Sequence, residues 1–210
     1  MAKTESTLVN MVLALLIITA IAGGTLGMVY KVTKEPIAVA KLAKQKKAIE
    51  QVVPGFDNNP TEEVYELESK EGYKLKVFPC KKGEELLGVA ISSKTDKGFA
   101  GEIKIMVGLK PDGTIINYSV LEHQETPGLG SKMNDWFRMD KGNQSILDKN
   151  PSNTKMVVSK DGGDIDAITA ATISSRAFLD AIMVAYNTYT EQNDSSDATS
   201  GATVKKGGQS

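Results

Sequence analysis

Glu102-Ile-Lys-Ile-Met-Val-Gly-Leu-Lys-Pro-Asp-Gly-Thr-Ile-Ile-Asn-Tyr-Ser-Val-Leu121 is the stretch that decides the fold. Two runs of strand-forming residues, Glu102 to Leu109 and Thr114 to Leu121, flank Lys110-Pro-Asp-Gly113. In that turn Pro presets φ and Gly accepts the left-handed conformation, so the runs should fold back on one another as an antiparallel hairpin. The hairpin delivers the chain straight into Glu122-His123-Gln124-Glu125-Thr126-Pro127-Gly128-Leu129-Gly130. Pro127 stiffens this loop, while Gly128 and Gly130 permit tight backbone and leave room for a flat ring. Thr126 and main-chain N–H groups can hydrogen-bond the polar edge of such a ring, and Leu129 offers apolar contact. By its residues alone the segment is a constrained surface loop. His123, the single histidine, has no Cys or second His nearby, so hydrogen bonding within the loop is expected of it rather than metal ligation.

Downstream, Ser131 to Phe137 reads as a short helix carrying Trp136 and Phe137; either ring could cover a flat ligand, but both are assigned to the core. Lys155 to Ser159 reads as a strand and Asp161-Gly-Gly-Asp164 as a turn. Asp166-Ala-Ile-Thr169-Ala170-Ala171-Thr172 then leads into a helix opening Ile173-Ser174-Ser175-Arg176 and running to about Thr190. Small residues admit a close ligand, hydroxyls are plentiful, and a helix start presents unpaired N–H groups and the positive end of its dipole. The segment therefore suits a phosphate, whether reversibly bound or esterified to Thr172, though an ordinary Ser/Thr-capped helix has the same composition. Along the helix, Ile173, Ala177, Ala181, Ala185 and Tyr189 form an apolar stripe that belongs to the core. Beyond Gln192 that periodicity is lost, and residues 193–210 are expected to be a disordered tail.

Upstream, strand-like segments occur around Glu63 to Leu67, Tyr73 to Phe78 and Leu86 to Ser92. Before them, Pro36 to Val53 has the spacing of a helix with a modest apolar stripe, ended by Pro54-Gly55. Met11 to Tyr30 lacks any charged side chain and is long enough to cross a hydrocarbon core of about 30 Å. This apolar run continues past Ala22-Gly23-Gly24, which favours an uncleaved anchor over a signal peptide. The organisation expected is a short segment 1–7, a transmembrane helix 8–30, a juxtamembrane helix 31–54, a globular domain 55–192 and the tail. Its class is α+β: a single membrane helix, then a mixed, largely antiparallel sheet packed by helices. Lys31, Lys34, Lys41, Lys44, Lys46 and Lys47 follow the span while only Lys3 precedes it, a pattern that by itself would keep the domain in the cytoplasm.

Over its 210 residues, 25 basic side chains balance 26 acidic ones, which excludes bulk attraction to nucleic acid. One cysteine, Cys80, cannot form an intramolecular disulfide and is read as a partly buried small residue.

Taken together, Glu125-Thr-Pro-Gly-Leu-Gly130, with His123 ahead of it, and the segment ending at Thr172 resemble the FMN-binding domain of the G subunit of the Rnf electron-transport complex. The related C subunit of the sodium-pumping NADH:quinone reductase shares these features. The resemblance implies covalent FMN, attached by a flavin transferase from FAD through a phosphoester to the last Thr of a Ser/Thr-Gly-Ala-Thr motif, here Thr172. It implies flavin contacts from Glu125, Thr126, Pro127, Gly128, Leu129 and Gly130, and from Asp166, Thr169, Ala170, Ala171, Ile173 and Ser174. Ala170 stands where the family has Gly, removing a position that adopts positive φ cheaply. Ser200-Gly-Ala-Thr203 in the tail matches the motif more literally, so Thr203 is a second candidate attachment point, although no helix start follows it. The implied role is electron relay within a membrane complex coupling ferredoxin:NAD electron transfer to Na+ or H+ translocation. Implied partners are the other subunits, the transferase and the lipid bilayer, and the implied place is the inner membrane with the domain on the periplasmic or outer face. A flavin-binding or sensing module without electron transfer, and a structural anchor without flavin, are the alternatives.

Overall fold

A computed structural model describes residues 7–200, with side chains as far as residue 192. Two units are distinguished, residues 1–44 and residues 45–210. From Leu8 to Lys44 the first belongs to helix α1 (Leu8–Val52), which is long and apolar enough to cross a membrane; the apolar side chains of its uncharged run, from Met11 to Tyr30, are exposed. The apolar run and the lysine-rich run, expected as two helices, are one: Pro36 lies inside α1 without interrupting it. Proline there removes a single backbone donor, and the backbone bonds on either side continue the helix.

The second unit is built on a five-stranded antiparallel sheet in simple sequential order: β1 (Tyr65–Glu68), β2 (Lys74–Lys82), β3 (Glu85–Gly98), β4 (Gly101–Leu109) and β5 (Ile115–Glu122). Lys110-Pro-Asp-Gly113 makes the expected turn, with Lys110 N–H donating to Thr114 O, Gly113 N–H donating to Lys110 O, and Gly113 at φ +84°. The strand expected at Lys155 to Ser159 does not form. In its place an isolated parallel bridge joins Val158 to Ile165, followed by a 3-10 turn at Ser159–Asp161. Asp164 accepts from Lys155 N–H through its carboxylate, and its own N–H donates to Lys155 O. These local bonds replace a neighbouring strand. A 3-10 turn at Gly130–Lys132 and helix α2 (Met133–Trp136) follow β5, and helix α3 (Thr172–Ser200) closes the described chain. Here α3 continues beyond Thr190, where the apolar stripe ends, because a helix already nucleated and packed gains one backbone hydrogen bond for each residue added. Thr203 lies outside the described residues.

Both faces of the sheet are covered, which explains why its strands carry apolar residues in adjacent positions. One face packs on α3 through Leu75, Val77, Val89, Ile91, Ile103, Ile105, Val107 and Leu109, against Ala177, Phe178, Ala181, Ile182 and Ala185. On the opposite face, Phe78, Cys80, Ala90 and Met106 pack on the last turn of α1 and the residue after it, through Ala48, Ile49, Val52 and Val53. Cys80 is fully buried, and burial pushes its thiol up to about 11, so it remains an inert core group. Phe137 stacks on Phe178 with ring centres 4.4 Å apart, and Tyr118 meets Phe178 edge-on at 4.8 Å while its hydroxyl donates to Met133 O at 2.7 Å. This aromatic trio fastens β5, α2 and α3 to one another.

Gly108 on β4 sets how closely the end of α1 approaches, since a Cβ there would lie 2.1 Å from Val52 O. Gly108→Ala is therefore expected to lower the stability of the domain by about 2 kcal/mol, read as a lower urea midpoint with unchanged slope.

Candidate functional site

The β5 strand hands the chain to a type II turn built from Thr126-Pro127-Gly128-Leu129. Leu129 N–H donates to Thr126 O at 3.1 Å and Gly128 takes φ +75°, the conformation this turn requires of its third residue. Ser131 supports the turn by accepting from Gly128 N–H at 2.9 Å. Just before it, the Nδ1 of His123 accepts from Glu125 N–H at 3.1 Å, so His123 shapes the loop. No group of His, Cys, Asp and Glu suited to a metal occurs among the described residues.

Glu125 is 4% exposed, and its carboxylate joins two other segments. Oε2 accepts from the Ser174 hydroxyl on α3 at 2.5 Å, and Oε1 accepts from Ala100 N–H, at the β3–β4 turn, at 3.1 Å. Gly130 is glycine because a Cβ there would lie 2.5 Å from Ser174 Oγ and 2.6 Å from Glu125 Oε2. A buried carboxylate needs such donors to offset lost hydration, and here they come from elements far apart in sequence.

The segment before α3 is held with similar economy. Ser175 Oγ accepts from Ile168 N–H and donates to Ala171 O, both at 2.9 Å. Asp166 is a strut: its carboxylate accepts from Asn143 N–H at 2.9 Å and from the Ser159 hydroxyl at 2.7 Å, and Trp136 Nε1 donates to its carbonyl. The Asn143 N–H, and after it the Ser159 hydroxyl, hold the Asp166 carboxyl below the ordinary aspartate range. With this geometry Ala170 takes φ +61°, the left-handed region, and Thr172 opens the helix. Ser175 N–H is the first in α3 with a backbone acceptor, Ala171 O. Among the described residues, the N–H groups of Thr172, Ile173 and Ser174 and the Thr172 hydroxyl have no hydrogen-bond acceptor.

These segments enclose a cleft of about 320 Å³ lined by Phe99, Glu125, Thr126, Leu129, Gly130, Ala170, Ala171, Thr172, Ile173 and Ser174. The two sequence motifs, separated by some forty residues, thus form opposite walls of one site. Pro127, Gly128, Thr169 and Asp166 are not in the lining: the first two build the turn, Thr169 is exposed and Asp166 braces the approach to α3. Phe99, at the tip of the β3–β4 turn, is the lining residue that sequence reading missed. Only the pairing of Gly98 with Gly101 across the strands marks its place.

The lining fits an aromatic ring system bearing one phosphate. Its walls are mostly apolar, its size falls within the range of small-molecule sites, and a free hydroxyl stands beside the unpaired N–H groups of a helix start. No lysine or arginine lines it, and Arg176 on the first turns of α3 is engaged bidentately by Asp161, both bonds 2.7 Å.

The left-handed Ala170 carries a steric cost that glycine would relieve. Ala170→Gly should raise stability by about 1 kcal/mol, measured by denaturant unfolding.

Comparison with known proteins agrees with this geometry. A family model described as the FMN-binding domain matches residues 98–187, which contain both walls of the cleft. The chain is 33% identical over 193 residues to the G subunit of the ion-translocating oxidoreductase complex of Vibrio atlanticus, covering 87% of this chain and 90% of the relative. It is 34% identical to the protein of the same name from Haemophilus influenzae over 171 residues, 78% of this chain and 79% of the relative. A third, from Salmonella typhi, is 34% identical over 167 residues, 76% and 80% of the two chains. The likeness thus extends well beyond the cleft and over most of each protein, and the chain belongs to the family of G subunits of ion-translocating oxidoreductase complexes, with an FMN-binding domain behind a single membrane-spanning helix.

Proposed function

We propose that this protein carries FMN esterified to Thr172 and relays electrons inside an ion-translocating oxidoreductase complex, as one redox subunit with no complete turnover of its own. The observation that carries the reading is the free Thr172 hydroxyl at a helix start, inside a cleft with no cationic side chain. A reversibly held FMN phosphate would be a dianion beside the Glu125 carboxylate, attracted only by orphan N–H groups and the helix dipole, the latter worth about 0.3–1 kcal/mol. An ester leaves one negative charge and cannot dissociate, so retention no longer depends on that attraction.

In the loading step the Thr172 Oγ1–P bond forms while the pyrophosphate bond of FAD breaks. AMP leaves and the hydroxyl proton is released, with a flavin transferase as catalyst. FMN, once bound, supplies the redox chemistry. The chain's contribution is positional: Thr172 with the first N–H groups of α3 anchors the phosphate, the Thr126 to Gly130 wall and the Ala170-Ala171 wall flank the ring system, and apolar lining limits water. Glu125 holds these walls together and needs no proton-transfer role. Ala170, Ala171, Ile173 and Ser174 shape the phosphate end, Pro127 and Gly128 the opposite turn, and Thr169 and Asp166 the approach to α3. Thr203 is assigned no flavin, having no comparable helix start after it in sequence.

Other subunits of the complex are the partners, with ferredoxin and NAD as the ultimate redox couple and Na+ or H+ as the translocated ion. Residues 8–30 would lie in the bilayer of the inner membrane, with 31–54 leading to the FMN-binding domain, 55–192, on its periplasmic or outer side. The lysines after the span oppose this orientation. The motifs are more specific than the charge bias, and long domains can cross a membrane despite flanking charge.

Wild type made with the transferase should give a chain-sized fluorescent band on a denaturing gel under ultraviolet light, and an intact mass increased by one esterified FMN. Thr172→Val should lose both and Thr203→Val neither. Loss only in the Thr203 variant would move the attachment to the tail, and a colourless wild type from its natural host would end the proposal. A C-terminal reporter enzyme active only outside the cytoplasm should be active, whereas a stable, inactive fusion would reverse the orientation.

A further inference from the structure

Phe99 is 68% exposed at the tip of the β3–β4 turn, a position where two-residue turns ordinarily carry Gly, Asn or Asp. The tip is nevertheless held firmly. Gly98 and Gly101 pair across the strands, Gly101 takes φ +113°, and a Cβ on Gly98 would lie 2.2 Å from Gly101 O and 2.7 Å from Glu125 Oε1. Ala100, beside Phe99, donates its N–H to Glu125, whose other oxygen is bonded to Ser174, two residues after Thr172. Around the same cleft Leu129 is 40% exposed and Ile173 48%. Three exposed apolar side chains from three separate elements therefore meet beside the free Thr172 hydroxyl, and one buried carboxylate links those elements. Single exposed apolar residues are ordinary on protein surfaces, but convergence on one polar-anchored cleft is a ligand arrangement.

We propose that Phe99 is a positioning residue for the flavin, its ring covering one face of the isoalloxazine while Glu125 fixes the turn that presents it. This inference rests on the attachment of FMN to Thr172. Aromatic faces prefer offset stacked or edge contacts, and covering the ring removes apolar surface of both partners from water. Phe99 has no polar atom, so it would act through position and solvent exclusion, restricting access to one face and the local dielectric that tunes the flavin.

The test uses the full chain, loaded with FMN by the transferase and purified in detergent, as wild type, Phe99→Ala and Phe99→Trp. Intact mass first establishes the FMN content of each. In Phe99→Ala, iodide should quench the flavin fluorescence with a severalfold larger constant than in wild type, and the visible circular dichroism of the flavin should weaken. In Phe99→Trp, an indole in contact with the ring should quench most of the flavin emission by electron transfer, while exposure to iodide stays low. The inference is overturned if both loaded variants keep wild-type iodide quenching, visible dichroism and emission. That result combined with weaker assembly into the complex would make Phe99 a protein-docking residue instead. A wild type without the FMN mass overturns the attachment reading and this one with it, an outcome the mass measurement separates from failure of the Phe99 contact alone.

Discussion

A buried carboxylate, Glu125, governs the architecture of this site. Glu125 is removed from water, so its charge must be met by donors, and the Ser174 hydroxyl and the Ala100 N–H meet it from two distant parts of the chain. The cost of leaving such a group unpartnered is what makes the arrangement specific: a loop, a hairpin tip and a helix start have to arrive together for the carboxylate to be satisfied. The close packing of Gly130 against the same two side chains shows how little room is left for any other arrangement. Sequence motif and three-dimensional site are thereby joined through one side chain.

Behind that junction lies an unusually simple topology. Five strands follow one another in order, every pairing in the sheet is antiparallel, and α3 crosses the face that holds the larger core. Such connections need no crossover, so the hairpin that ends in the Glu122 to Gly130 loop can form from neighbours in the chain. Long-range specificity enters with α3. Ser93 Oγ donates to Ala181 O at 2.8 Å, Thr95 Oγ1 donates to the Asp180 carboxylate at 2.7 Å, and the Phe137, Phe178 and Tyr118 rings lock the helix to β5 and α2. Thr172 is placed by this packing, since it lies on the first turn of the anchored helix.

Ala170 illustrates how a departure from a motif is to be read. The backbone at this position adopts positive φ, a conformational demand that glycine meets at little cost. Alanine meets the same demand with some strain, because the surrounding bonds, Ile168 N–H to Ser175 Oγ and Ala171 N–H to Ile168 O among them, determine the local path of the chain. Smallness and left-handed backbone are separate requirements here, and alanine meets the first while straining the second.

By itself, the sequence determined what depends on neighbours in the chain. An uncharged run identified the membrane-spanning length, Pro-Asp-Gly fixed the hairpin, an apolar stripe gave α3, and the two motifs led to the flavin family. The Lys155 to Ser159 strand was misread for a local reason: a run of strand-forming residues expresses a preference, which the bonds to Asp164 and the bridge to Ile165 override. Only the tertiary structure decided that the two motifs face each other, that Asp166 braces the chain leading into α3, and that Phe99 belongs to the cleft. Those facts depend on bonds between residues far apart in sequence, and no local pattern records which distant donor will satisfy a buried acceptor.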